Sequence, residues 1–344
     1  MGRIILHIGT HKTATTTIQH TLFENRETLL QRGVWYPSYE IIGHSPHYAH
    51  LGMVNALSGR HSSFSRADAE HFFRVVKERS QNFETTVISA EPFYRHVESE
   101  TSPRQLSHSN YWKCRNLYIE RIADLIGAAE IAVVFRRQAD YAESLYQEQV
   151  KVTHYIHTFE IFLRRFWFHF DYLKQAKAWS RHFSTLRAFR FDDLVAEADP
   201  AGTFLSGLGI DASELIPGKH HNVSMTPDAI IMKRILNASS KAPKTARSVE
   251  QLFKHLSPQI QAMGRKRSYF SEYADLAAFQ SRFDDDNTEL KASFMPELPD
   301  DMPLFAPVNT QERMYGDQIH PDVIREVFDL ALASPQSGNK DSAD

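Results

Sequence analysis

Four short runs rich in β-branched and apolar residues, Arg3 to Ile8, Thr85 to Ser89, Ile131 to Phe135 and Leu186 to Phe191, are separated by longer segments with helical spacing. Strands that alternate with helices in this way pair into a parallel sheet joined by crossovers. The pattern predicts an α/β fold, a single three-layer domain with a central, mainly parallel sheet. Between the runs, Phe72, Phe73, Val75 and Val76 give Glu70 to Phe83 amphipathic spacing, and a helix from Trp112 to Ile126 is predicted to stop at Gly127. After the fourth run the pattern turns almost wholly helical. Thr226-Pro227-Asp228 offers an N-cap, a first-turn proline and an early acid for a helix reaching about Asn237, and one further helix is predicted from Glu272 to Lys291. The domain is placed over residues 1–333, with 1–140 and 184–195 carrying most of the sheet and 141–183 and 196–333 mainly helical. Ser334 to Asp344 is polar, rich in small residues and expected to be disordered.

Charge and cysteine content narrow the function classes. With 39 Lys and Arg against 42 Asp and Glu, the net charge of −3 gives no sign of a nucleic-acid or anionic-membrane surface, so any anion site must be local. The single Cys114 has no disulfide or metal-ligand companion, which fits a reducing compartment. Ile4 to Ile8 is too short for a signal peptide or a membrane helix, so a cytoplasmic protein without stable membrane insertion is expected. Asn222-Val-Ser and Asn237-Ala-Ser match the glycosylation pattern, but without an export signal they read as chance.

Ile5-Leu6-His7-Ile8-Gly9-Thr10-His11-Lys12-Thr13-Ala14-Thr15-Thr16-Thr17-Ile18-Gln19 reads as strand, tight loop, helix. The first backbone N–H groups of a helix have no intrahelical partner and carry partial positive charge, so a phosphate or sulfate lodges there readily. Lys12 adds a full charge and Thr13, Thr15 and Thr16 add hydroxyl donors. The nucleoside-triphosphate loop G-x-x-x-x-G-K-[ST] is not matched, because no glycine precedes Lys12 and Gly9 alone lies in the loop. The loop is shorter and better suited to one terminal group than to a triphosphate with magnesium.

A second anion site is read after the third run, where Arg136 ends the strand and Ser144 lies one or two turns into the next helix. Strand end and helix face can converge on one group, with arginine supplying a bidentate fork and serine a donor. Arg137 is a substitute for Arg136, although it should point to the opposite face.

His7 to Gln19 resembles the 5′-phosphosulfate loop of the bacterial sulfotransferase family, whose pattern is approximately H-I-G-x-x-K-T-G-T-T-x-L-Q. Ala14 stands at the usual glycine and is expected to belong already to the first helical turn. In that family an arginine followed eight positions later by a serine holds the 3′-phosphate of 3′-phosphoadenosine 5′-phosphosulfate (PAPS), a spacing that Arg136 and Ser144 share. Trp35-Tyr36-Pro37-Ser38, Ser89-Ala90-Glu91-Pro92-Phe93, Asp171-Tyr172-Leu173, Asn222-Val-Ser and the segment Phe283 to Met295 also look like features of the family. The resemblance implies a PAPS-dependent enzyme that sulfates a hydroxyl or amine, with a small-molecule or glycan acceptor and a tilt towards carbohydrate or glycolipid. It assigns His11, Lys12, Thr13, Ala14, Thr15, Thr16, Arg136 and Ser144 to the donor, with adenosine 3′,5′-bisphosphate (PAP) as product, and places Lys12 on the bridging or leaving oxygen.

Sulfuryl transfer is governed by positioning and electrostatics, and the donor carries less charge than a γ-phosphate, so no metal is required. An acceptor hydroxyl must still lose a proton. His47 is favoured as base among His44, His47 and His50, and Glu91, just past the second run, is the alternative. As a metal triad, the three histidines would spread over about 120° of a helix, with no fourth ligand evident. Phe162, Phe166, Trp167, Phe168, Phe170 and Tyr172 read as core, with room for a sugar-stacking platform, and Arg265-Lys266-Arg267 as a solvated loop. Two rivals remain open: a nucleotide-binding module without turnover, and a P-loop kinase using ATP. The acceptor and the oligomeric state are not legible.

Overall fold

The structure, a computed structural model, describes residues 2–218, 225–238, 242–308 and 313–333. In chain order its elements begin with β1 (Arg3–His7), α1 (Thr15–Glu24), α2 (Arg26–Gln31), β2 (Val34–Trp35), α3 (Leu51–Leu57), α4 (Arg66–Arg79), β3 (Thr85–Ser89), α5 (His108–Ile126) and β4 (Glu130–Phe135). They continue with α6 (Gln138–Val152), α7 (Phe159–Arg165), α8 (Tyr172–Ser180), β5 (Thr185–Arg190), α9 (Phe191–Ala196), α10 (Pro200–Gly207) and α11 (Pro227–Leu236). The last are α12 (Ala242–Lys254), α13 (Pro258–Arg265), β6 (Arg267–Ser268), α14 (Tyr273–Ser281), α15 (Asp284–Phe294), β7 (Met314–Tyr315) and α16 (Pro321–Ala333). The chain divides into two compact units, Met1–Tyr141 with Arg165–His221 and Gln280–Pro307, and Ala142–Arg164 with Asn222–Phe279 and Val308–Asp344.

The first unit is built on a five-stranded parallel sheet of order β2-β3-β1-β4-β5. Side chains alternate across each strand. Ile5, Val87, Ala132 and Val134 bury one face against Ile18 and Leu22 of α1 and Phe204 and Leu205 of α10. Their neighbours Ile4, Leu6, Ile88, Ile131 and Val133 are buried on the other face, which makes the sheet the middle of three layers. The chain leaves β1 for the β2 edge and later crosses back to β4, so β1 lies where the winding reverses. Ligands in sheets of this kind gather at that point, outside the strands' C-terminal ends.

The alternating pattern named four of the strands in this sheet within about a residue. It missed β2, a two-residue edge strand paired with β3, because so short a run carries no period. The helix expected from Glu272 to Lys291 is two, α14 and α15. The break at Phe283 places Asp284, Asp285 and Asp286 in a first turn, where acidic groups complement the helix dipole. Thr226 caps α11 as expected, its Oγ1 accepting from Ala229 N–H.

In the second unit the strand pairing among the described residues is β6 beside β7, parallel and two residues long. Arg267 is not part of a solvated loop. It is buried, its Nη1 lies 2.5 Å from Asp228 Oδ1, and its Nη2 donates to the carbonyls of Gly316 and Gln318. Asn237 is also buried, its amide donating to the carbonyls of Val150, Thr153 and Tyr155, which leaves no accessible nitrogen for a glycan. Asn222-Val-Ser and Ser334 to Asp344 lie outside the described residues. Among the described residues, no helix is long and apolar enough to cross a membrane.

Candidate functional site

The loop after β1 first continues the sheet's ladder. Ile8 N–H donates to the Ala132 carbonyl, Val134 N–H to Gly9 and Thr10 N–H to Val134, so the turn is fixed to β4 before it leaves the sheet. Thr10 Oγ1 donates to the same Val134 carbonyl at 3.1 Å. Gly9 sits at φ 105°, and a side chain there would stand 3.3 Å from Cα of Glu91. Glycine is needed on both counts, since the backbone is left-handed and Glu91 packs directly against it.

Past Gly9, Lys12 at φ 63° and Ala14 at φ 61° are both left-handed. Ala14 is therefore the residue before α1 and not part of its first turn. A glycine would adopt that conformation without strain, whereas a Cβ makes it unfavourable by about 1 kcal/mol. Thr13 is buried and its hydroxyl donates to the Thr10 carbonyl at 2.8 Å, so its proton serves the turn. Thr15 and Thr16 hydroxyls make no hydrogen bond among the described residues. The amides of Thr15, Thr16 and Thr17 occupy the first turn of α1, where no intrahelical acceptor exists.

Arg136 follows β4 and reaches this loop. Its Nη1 donates to the Lys12 carbonyl at 3.4 Å, and its guanidinium carbon lies 4.9 Å from the centre of the Phe191 ring. Tyr172 Oη donates to the Arg136 carbonyl at 2.7 Å and fixes the backbone there. Arg137 does not substitute for it. Its guanidinium is 2.5 Å from Asp140 and donates to the carbonyls of Ala306 and Pro307. Ser144 is the seventh residue of α6, in the second unit.

Glu91 opens a 3-10 turn immediately after β3, with Pro92 behind it. Gln19 Nε2 donates to Glu91 Oε2 at 3.3 Å and to Ser89 Oγ at 3.2 Å. Ser89 Oγ is also 2.8 Å from His7 Nδ1, and His7 packs on Phe204. Burial holds the His7 imidazole down at about 3, so the ring is neutral near pH 7.

The three histidines of the segment after Pro37 separate. His50 is buried with both nitrogens committed: Nε2 donates to the Pro37 carbonyl at 2.7 Å and Nδ1 accepts from Ser89 N–H at 3.0 Å. Desolvation lowers it to about 4, against the opposing pull of the Pro37 and Ser89 carbonyls. His47 uses Nδ1 on the backbone of Ala49 and stacks on Tyr48, while its Nε2 makes no hydrogen bond among the described residues. His44 is exposed and edge-on to Phe64. They do not converge as a triad, and no group of three or more potential ligands occurs among the described residues.

Sequence reading missed Arg95, His169 and Tyr141 beside the same loop. His169 Nδ1 lies 3.2 Å from Tyr141 Oη, and its ring centre is 6.5 Å from that of His11. Nothing in the spacing of these residues marks them, because strand ends far apart in sequence bring them together. Of the aromatic segment, Phe162, Phe166, Phe168, Phe170 and Tyr172 are buried core and only Trp167 is half-buried, stacked on His108.

No family model matches the chain, and no curated protein matches it in sequence. Among solved structures, a sulfotransferase from Alicyclobacillus acidocaldarius is similar over 76% of this chain and 99% of its own, at 14% identity and a TM-score of 0.39. That likeness is too distant to assign a family or an activity.

Proposed function

We propose that the protein transfers the sulfuryl group of PAPS to a hydroxyl or amine of an acceptor, a carbohydrate or glycolipid, by in-line displacement. The observation that carries this reading is the Gly9–Thr16 loop, with its first-turn amides, Lys12 and two uncommitted threonine hydroxyls, meeting the Arg136 guanidinium at the C-terminal edge of the sheet. These groups fit a ligand with more than one anionic group. The loop amides, Lys12, Thr15 and Thr16 take the 5′ end and stabilise the oxygen that departs when the sulfur–oxygen bond breaks. Arg136 takes the 3′-phosphate, and the sequence resemblance alone adds Ser144 to that role. His11, Thr13 and Ala14 contribute backbone to the turn.

Glu91 is the proposed base, because its Cα and Cβ pack against Gly9 at the start of the loop and its carboxylate accepts an orienting hydrogen bond from Gln19. It accepts the proton of the acceptor hydroxyl as the new sulfur–oxygen bond forms. His47 is the second candidate through its Nε2. No step calls for a metal. The test is calorimetric titration of PAP, ATP and 5′-AMP into the protein. PAP is expected to bind more tightly than either of the others by at least tenfold, and a preference for ATP would sink the assignment in favour of a kinase.

A further inference from the structure

Arg95 follows the turn that carries Glu91, its N–H bonded to the Pro92 carbonyl. It is half-buried, its Nε is sealed from solvent without a hydrogen-bond partner, and no carboxylate lies within ion-pair distance among the described residues. An arginine withdrawn from water without a counter-ion is costly, and such groups are normally paired. Its surroundings supply the missing charge only in part, at a distance, from Glu91. His11, His169 and Arg60 all act on it or are acted on by it, and Glu91 is the one carboxylate whose charge it feels strongly.

His11 Nε2 is buried without a partner, its ring centre 6.5 Å from that of His169, whose Nδ1 meets Tyr141 Oη; Tyr94, next to Arg95 in the chain, donates its Oη to the His169 carbonyl. Arg104, whose charge also acts on His169, lies over the Phe166 ring at 5.1 Å, without an acidic partner among the described residues. Burial and the nearby Arg95 hold His11 and His169 well below the ordinary histidine range, so both are neutral imidazoles able to donate or accept.

We propose that Arg95, with the imidazoles of His11 and His169, binds a carboxylate or sulfate group of the acceptor, and hence that the acceptor is an anionic molecule. This rests on the sulfuryl-transfer reading and specifies its substrate class. It is a third anion site, separate from the two assigned to the donor. His11 reaches it through its ring while its backbone belongs to the loop, and the fixed charge lies next to Glu91, where the acceptor hydroxyl must be deprotonated. A neutral sugar closing over half-buried Arg95 would take the rest of its guanidinium from water without supplying a counter-charge, which is the physical basis for rejecting it.

The test uses inorganic sulfate titrated into protein saturated with PAP, with the His11 and His169 imidazole resonances as the readout. Sulfate is expected to shift both, and Arg95→Gln to weaken that binding at least tenfold while PAP affinity stays within about twofold. Sulfate that binds Arg95→Gln as tightly as the wild type, or an Arg95→Gln variant that loses PAP affinity, would overturn the proposal, the second by returning Arg95 to the donor. A protein that fails to bind PAP at all contradicts the sulfuryl-transfer reading instead. In parallel, paired methyl glucuronide and methyl glucoside are offered with radiolabelled PAPS. Preferential labelling of the acid, lost in Arg95→Gln, supports the site, and equal labelling of the neutral sugar overturns it.

Discussion

The loop after β1 and the histidine segment 44–50 are both polar and both close to the C-terminal edge of the sheet, yet they use their polar atoms differently. In the segment, His50 donates and accepts at once with backbone groups, and His47 gives one nitrogen to Ala49. In the loop, Thr10 and Thr13 hold the turn closed while the hydroxyls of Thr15 and Thr16 and the first amides of α1 have no acceptor among the described residues. Residue type does not distinguish a chemical group from a structural one. The distinction lies in which hydrogen-bonding capacity folding has already consumed.

Removing the loop's charge should separate the two regions most widely. Lys12→Ala is expected to lower transfer from radiolabelled PAPS by about a hundred- to a thousandfold with the fold intact by circular dichroism. A variant with wild-type turnover would remove Lys12 from the reaction. Glu91→Gln and His47→Ala, assayed side by side, sharpen the contrast. Glu91→Gln is expected to lose about a hundredfold or more in kcat and His47→Ala little, and the reverse order would transfer the base to the histidine segment.

The segment's own part is structural and should appear, together with that of His7 in β1, as acid sensitivity. His7 and His50 are held at about 3 and about 4 in the folded state, below their unfolded value near 6.5. Between those values the unfolded chain binds protons that the folded one does not. Their contribution is therefore complete above about pH 6.5 and is lost as pH falls towards 4, by up to about 3 kcal/mol for each ring. Urea unfolding at pH 7, 5.5 and 4 measures this, and a midpoint unchanged over that range would contradict the buried neutral assignment.

Smaller effects probe the loop's edges. Arg136→Ala is expected to weaken PAP by about tenfold or more, the cost of one charge-assisted contact. Arg137→Ala should instead lower stability and leave PAP affinity alone, because Arg137 is committed to Asp140. Ala14→Gly should stabilise the protein by about 0.5–1 kcal/mol, read as a rise in thermal midpoint, since glycine relieves the left-handed alanine.

The parts of this structure legible in the sequence are those governed by local rules. Alternating apolar runs placed β1, β3, β4 and β5, a Thr-Pro-Asp cap placed α11, and the glycine, lysine and threonines after the first run placed the turn between β1 and α1. What depended on long-range geometry was hidden. No periodicity shows that Ser89 would occupy His50, that Arg267 would meet Asp228, or that Arg95 and His169 would flank His11. The φ of Ala14 was misread for a related reason, because the helix boundary is set by the turn that Thr13 and Thr10 close and not by helix propensity.

A crystal structure of the protein with PAP tests the central claim most directly. The account predicts the 5′-phosphate on the amides that open α1, with Lys12 against it, and the 3′-phosphate on the Arg136 guanidinium. A nucleotide seated elsewhere, or a 3′-phosphate with no contact to Arg136, would contradict it.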